Sequence, residues 1–197
     1  MTQGSVRIRR GWLLAALGAV VFLDSAQAAT VTLPTPVPLR PESMDKLRKA
    51  AAGGDDHWKV VAFGFTRCKD VCPMTFGTLS HLLKVAAEEE IPLEGVFVTI
   101  DPDRDTELVL SRYTAPYGDR ISYLRLEGDV LDRFKDEFGA EAVFYTKNHG
   151  NEVHYQVDHS SMAFLIDPAG RIRVLFDALK DGDSVAKMLR EEPGLFE

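Results

Sequence analysis

The chain has 197 residues and a formal net charge of −7, with 30 acidic side chains against 23 basic ones. This excess of acid argues against a nucleic-acid partner, because phosphate backbones are bound by Lys and Arg. The length suits one domain with a single core, and the acidity suits an exported protein whose partner carries a basic patch.

Residues 1–28 have the order of features of a secretory signal peptide. Three arginines come before position 11, an uncharged apolar run follows at 12–23, and small residues end at Ala28. We predict export to the periplasm with cleavage after Ala28. The alternative is an uncleaved membrane anchor, although a bilayer span needs about 20 apolar residues. The Arg9-Arg10 pair leaves both the Sec and the twin-arginine route open.

A proline-rich stretch at 29–42 predicts an extended linker, so the domain is expected to span residues 43–197. Apolar runs rich in β-branched and aromatic residues predict strands, and apolar residues at helical spacing predict helices. Helices are predicted at 43–52, 73–90, 106–115, 129–138 and 184–191, and strands at 58–65, 95–100, 121–126, 143–146, 152–157, 162–166 and 172–176.

Strands and helices alternate through the first half of the chain, and a hairpin followed by a helix closes it. This order predicts an α/β fold, a three-layer domain with a central mixed β-sheet. In such sheets, binding sites form beyond the carboxyl ends of the strands. Both cysteines of the chain directly follow the predicted strand 58–65.

Cys68 and Cys72 are separated by three residues, and Pro73 suits the first turn of a helix. A helix N-terminus stabilises negative charge, which lowers the pKa of a cysteine placed there. Export would allow the pair to oxidise, but a bridge across so short a loop stabilises a fold little. Redox chemistry and metal binding are therefore favoured, and a minor disulfide in a binding domain is the remaining alternative.

Two thiolates favour a soft metal such as Cu(I), whereas structural zinc normally takes four protein ligands. Copper needs only one further ligand, which an imidazole can supply. His159 is the preferred histidine, because it precedes the predicted strand 162–166 and Asp158 could orient its ring. Spacing alone favours His159 only modestly. The other four histidines are interpreted as ordinary polar residues: His57, His81, His149 and His154.

Three blocks of sequence resemble the Sco/SenC family. The first is FGFTRCKDVCP at 63–73, the second is FVTIDPDRDT at 97–106, and the third is DHSS at 158–161 with FLIDPAGR at 164–171. They occur in the family's order, and the resemblance covers about residues 59–176.

The resemblance implies a thioredoxin-like fold and a role in assembling the binuclear copper centre of cytochrome c oxidase. It implies that copper, as Cu(I) or Cu(II), is bound by Cys68, Cys72 and His159. We therefore expect a copper chaperone that delivers copper to the copper-bearing subunit of the oxidase. Other copper chaperones and thiol reductases are further expected partners. We also expect the protein to act near a membrane and to bind no nucleic acid.

Two rival functions use the same cysteines. A thiol–disulfide oxidoreductase would keep the cysteines of a client copper site reduced, although such enzymes usually have a tighter Cys-x-x-Cys pair. A peroxide-consuming thiol is the weaker rival, in which the second thiol resolves a sulfenic acid. Neither function needs His159, so this residue separates them from the chaperone hypothesis.

The chain departs from the family at two places. Lys69 stands where the family usually has a proline, which puts a cation beside the cysteines. The family also usually has an extra hairpin before the first core strand, and residues 30–57 do not show it clearly. Partner contacts at that edge are therefore expected to differ.

Overall fold

The structure, a computed structural model, describes the backbone of residues 30–140, 142–149 and 152–196, with side chains for 30–140 and 160–196. The predicted signal peptide lies outside the described residues. Within the described residues, no helix is both long enough and apolar enough to cross a membrane.

A mixed sheet of six strands forms the middle layer, in the order β1-β8-β7-β2-β3-β4. The neighbours β2, β3 and β4 are parallel, whereas β7 runs antiparallel to β2. Strands β5 and β6 pair only with each other in the described chain. The strands are β1 (Val31–Pro38), β2 (Trp58–Gly64), β3 (Leu93–Thr99), β4 (Ile121–Leu124), β5 (Ala142–His149), β6 (Glu152–His159), β7 (Met162–Ile166) and β8 (Arg171–Asp177).

Helices cover both faces of this sheet, which confirms the predicted three-layer α/β arrangement. Apolar side chains of α2, α3 and α5 form one core with the sheet, and those of α1 and α4 form the other. The central strands β2 and β3 are buried at every position, because both of their faces are covered. The helices are α1 (Pro41–Ala50), α2 (Val71–Glu88), α3 (Glu107–Thr114), α4 (Gly128–Phe138) and α5 (Gly182–Glu191).

Local sequence signals explain where several helices begin and end. Pro41 lies in the first turn of α1, where a missing N–H is tolerated. The Thr106 hydroxyl accepts a hydrogen bond from the Val109 amide at 3.4 Å and caps α3. Gly139 ends α4 with φ +60°, a left-handed conformation that glycine adopts easily.

The prediction of a linker at 29–42 is wrong for part of that stretch. Residues 31–38 are extended, but they pair antiparallel with β8 as the edge strand β1, and Pro41 already belongs to α1. Proline is tolerated on an edge strand, because one side of it needs no ladder hydrogen bonds. The register of β1 shifts between Thr32 and Val37, the stretch that contains Pro34 and Pro36.

Candidate metal centre

The two cysteines lie where the central strand β2 gives way to helix α2. The chain turns after Gly64, and the Cys68 amide donates to the Phe65 carbonyl at 3.2 Å. The Cys72 amide, in the first turn of α2, donates to the Cys68 sulfur at 3.4 Å. Both cysteines are thiols, and a side-chain hydrogen bond joins them. The two sulfurs therefore lie close together at this end of the sheet.

The two sulfurs differ in their access to solvent. Cys68 is half-buried, whereas Cys72 is 1% exposed. The absence of a side chain at Gly64 makes room for Cys72, since a Cβ there would lie 2.6 Å from the Cys72 sulfur and 2.8 Å from the Phe97 ring. The site thus has one accessible thiol and one that is enclosed by the sheet.

The expectation of a lowered pKa at the helix start is wrong for Cys72. Burial raises the pKa of the Cys72 thiol far above its ordinary value, because water no longer solvates the thiolate. The neighbouring Cys68 and the Asp105 charge raise this pKa further, and a backbone hydrogen bond with Phe65 only partly opposes them. In the metal-free protein, Cys72 is therefore a neutral thiol at physiological pH.

A second loop, the one that follows β3, fixes the cysteine loop in place. The buried Asp105 carboxylate accepts hydrogen bonds from the Thr66 amide at 3.0 Å and the Thr66 hydroxyl at 2.5 Å. It also accepts a bond from the Thr99 hydroxyl at 2.6 Å. Arg125 in turn donates to the carbonyl of Asp105 at 2.9 Å and holds this loop against the sheet.

His159 ends strand β6, where its backbone pairs with Ala142. Strand β7 begins three residues later, and Ala163 of β7 is the register partner of Ala62 in β2. Because β7 runs antiparallel to β2, the first residues of β7 lie beside the last residues of β2. The backbone of His159 therefore lies near the end of the sheet that carries the cysteines. The side chain of His159 is outside the described part of the structure.

Among the described side chains, no three residues of the His, Cys, Asp and Glu types form a cluster that could hold a metal. Within the described side chains, the site therefore offers the two thiols as its soft donors. His81 lies exposed on α2 and His57 lies in the loop before β2, which agrees with their interpretation as ordinary polar residues. The backbones of His149 and His154 lie on β5 and β6.

Replacing Gly64 with alanine is expected to disturb the enclosed sulfur. The added Cβ would overlap the Cys72 sulfur and the Phe97 ring, so one of them must move. Such overpacking costs about 1–3 kcal/mol. We expect Gly64→Ala to lower the free energy of unfolding by that amount and to speed alkylation of Cys72. Denaturant unfolding and the rate of thiol alkylation measure the two effects.

Gly77 provides the matched control, because a Cβ there would meet nothing within 4 Å. It lies inside α2, so Gly77→Ala should stabilise the helix by about 0.5–1 kcal/mol and leave Cys72 protected. Equal alkylation rates in Gly64→Ala and the wild-type protein would show that Gly64 does not enclose Cys72.

The fold and the thiol pair define a thioredoxin-like domain with a Cys-x-x-x-Cys site at a strand–helix junction. The model of the SCO1/SenC family matches residues 48–192, so the chain belongs to this family. An SCO2-like protein of Rickettsia conorii is 32% identical over 141 residues, which are 68% of this chain and 64% of that relative. The chain thus spans less than two thirds of the relative's own length.

Solved structures confirm the thioredoxin-like fold. Apo Sco1 from Thermus thermophilus superposes with a TM-score of 0.62 at 24% identity, over 84% of this chain and 98% of that one. ScoI from Bradyrhizobium japonicum, solved with copper bound, superposes with a TM-score of 0.60 at 18% identity, over the same shares. At these identities the likeness shows the fold alone.

Two residues around the site were not assigned a role in it from the sequence, Gly64 and Asp105. Gly64 lies inside a predicted buried strand, and its lack of a Cβ signals a close approach of another group. Asp105 carries no comparable signal, because its partners Thr66 and Arg125 are distant in the sequence.

Proposed function

We propose that this chain carries copper on Cys68, Cys72 and His159 and passes it to the copper-bearing subunit of a cytochrome c oxidase. One observation supports this most: two thiols joined by a hydrogen bond at the end of β2, beside the start of β7. Membership of the SCO1/SenC family and the copper bound to the Bradyrhizobium structure support the identity of the metal.

The chemistry of the two cysteines suits a copper ion that the protein takes up and later releases. Thiolates prefer a soft ion such as Cu(I), and an imidazole can complete a three-ligand site. Cys72 must give its proton to solvent when it binds copper, because its thiol is neutral in the empty protein. The half-buried Cys68 leaves one side of the site open, so a partner's thiolates can enter and take the ion by exchange.

Oxidation of the cysteines to a disulfide would consume both sulfur ligands. Copper loading is therefore proposed to require the reduced pair, and thiol reductases become natural partners. The three-residue spacing of the pair counts against the rival oxidoreductase, which usually has a tighter Cys-x-x-Cys pair. The proposal also includes export to the periplasm, with a signal peptide that ends at residue 28. The exported protein is proposed to act close to the membrane.

Removing any one ligand is expected to weaken copper binding strongly. We expect Cys68→Ser, Cys72→Ser and His159→Ala each to lower the Cu(I) affinity of the reduced full chain about 100-fold or more. Loss of a residue that only hydrogen-bonds to a metal ligand already lowers metal affinity about 10–100-fold, and loss of the ligand itself should cost at least as much. Anaerobic titration against a Cu(I) chelator measures the affinity, and a parallel titration with Cu(II) tests the other oxidation state.

His81→Ala is the matched control, because His81 is exposed on α2 beyond the cysteines. It should bind copper like the wild type. Wild-type affinity in all three ligand variants would refute the proposed site. If His159→Ala keeps full oxidase assembly in cells while the cysteine variants fail, the oxidoreductase replaces the chaperone as the explanation.

A further inference from the structure

The exposed apolar side chains are gathered mainly at one end of the molecule. Among the described side chains, six large apolar ones are exposed: Val31, Val37, Met74, Leu108, Val109 and Val130. Four of these six, all but the two valines of β1, lie in the first turns of α2, α3 and α4. Single exposed apolar residues are normal, but a group of them at one end marks an interaction surface.

These three first turns surround the cysteine loop. Each helix follows one of the parallel strands β2, β3 and β4, whose carboxyl ends lie at the same end of the sheet. The Thr66 hydroxyl donates to Asp105 at 2.5 Å and joins the loops before α2 and α3. Arg125, before α4, donates to the Pro102 carbonyl at 2.9 Å. We call this region the site-end surface, which comprises the three first turns and the loops 65–70, 100–106 and 125–127.

The two most exposed of these apolar residues have no part in the core. Met74 is 58% exposed and Leu108 is 59% exposed. The same helices bury other residues against the sheet, among them Phe76 of α2 and Leu110 of α3. Folding therefore does not account for the apolar character of Met74 and Leu108, whereas contact with another molecule would.

The charge of the site-end surface decides which molecule can cover it. Two cations are exposed there, Arg67 and Lys69, whereas Arg104 and Arg125 are tied in ion pairs within the loops. Five carboxylates are exposed: Asp70, Asp103, Glu107, Glu127 and Asp129. This surplus of negative charge repels anionic lipids and a second copy of this chain. It attracts a protein face that is rich in Lys and Arg.

We propose that the site-end surface is the docking surface for the protein that receives the copper, and that this partner presents an apolar face ringed by Lys and Arg. This inference rests on the proposed function and names the chemistry of its partner. The apolar contacts form the centre of the interface, and the charges around them speed the encounter. Docking there brings the partner's thiolates to the half-buried Cys68.

Leu108→Lys tests this surface, because it removes an exposed apolar side chain and adds a cation that a basic partner repels. The probe is the metal-free copper-bearing subunit of the cytochrome c oxidase from the same organism. We expect the affinity of the full chain for this subunit to fall about tenfold or more, as for a central interface residue. Copper transfer should slow in parallel, while the Cu(I) affinity of the chain itself stays at the wild-type value. Calorimetry and a stopped-flow transfer assay measure these effects.

Val37→Lys is the matched control. Val37 is 47% exposed and pairs with Ile172, at the opposite end of the sheet. The same substitution there should change neither the affinity for the subunit nor the rate of transfer. Added salt should weaken the wild-type complex, because it screens attraction between opposite charges. Wild-type affinity for the subunit in Leu108→Lys, or a complex that salt does not weaken, would overturn the inference.

Other occupants of the surface would be revealed by the same variant. Sedimentation would show dimers of the full chain that Leu108→Lys dissolves if a second copy covers the surface. Flotation with phosphatidylglycerol vesicles that Leu108→Lys abolishes would show that a membrane covers it. Either result would overturn the proposal of a basic protein partner.

The failure of this inference and the failure of the proposed function are distinguishable. A chain that binds no copper, but binds the subunit more weakly after Leu108→Lys, would refute the chaperone function and keep the docking surface. A chain that binds copper and passes it on equally well with Leu108→Lys would keep the function and overturn the docking surface. A chain that binds neither copper nor the subunit would refute both.

Discussion

Replacing Glu94 with leucine is expected to lower the free energy of unfolding by about 3–5 kcal/mol. Glu94 on β3 and Lys59 on β2 are register partners, and their side chains form an ion pair at 2.9 Å. The two side chains are 2% and 1% exposed. Glu94→Leu therefore leaves a buried ammonium group without its counter-ion, and denaturant unfolding measures the loss.

Two controls separate the buried charge from the change of residue. The double variant Lys59→Met/Glu94→Leu removes both charges and should recover most of the lost stability. Glu88→Ala breaks the exposed pair with Lys84 and should change stability by less than about 0.5 kcal/mol. A loss below about 1 kcal/mol in Glu94→Leu would contradict the account.

Copper affinity should survive the double variant. Lys59 and Glu94 lie near the amino ends of their strands, whereas the cysteines follow the carboxyl end of β2. A double variant that folds and yet fails to bind copper would show that the residues at the amino ends of these strands affect copper binding at the carboxyl end of β2.

Replacing Asp105 with alanine is the second large expected effect, and it acts on the cysteine site itself. The variant leaves two hydroxyls and one amide without the acceptor that now joins the two loops. We expect a loss of about 3 kcal/mol in the free energy of unfolding, because buried donors that lose their acceptor are costly. The Cu(I) affinity should fall as well, since the loop that carries Cys68 is no longer held at Thr66.

Asp103→Ala is the control in the same loop, because Asp103 is exposed. Its stability and its Cu(I) affinity should match those of the wild type. If Asp105→Ala unfolds like the wild type, or binds copper with unchanged affinity, then this carboxylate does not hold the cysteine loop.

Much of the fold could be predicted from the sequence, because its strongest patterns are local. The apolar runs of β2, β3 and β7 predict buried strands, and Thr106 and Gly139 mark helix ends. The edge strand β1 was missed because its prolines are typical of a linker. Only the distant strand β8, which pairs with it, makes this segment part of the sheet.

The cysteine site was predictable to a lesser degree. Cys68 and Cys72 were placed correctly, because they directly follow a predicted strand. The burial that raises the pKa of Cys72 was not predictable, since it depends on how α2 packs against the sheet. The ion pair of Lys59 and Glu94 was missed for the same reason, because a charged residue in an apolar strand shows no sign of its cross-strand partner.

The X-ray absorption spectrum of the reduced, Cu(I)-loaded full chain tests the central claim most directly. We predict one three-coordinate copper per chain, with two sulfur ligands and one nitrogen ligand. The nitrogen should disappear in His159→Ala, while the two sulfurs remain. A copper bound by fewer than two sulfurs, or a nitrogen that persists without His159, would contradict the proposed site.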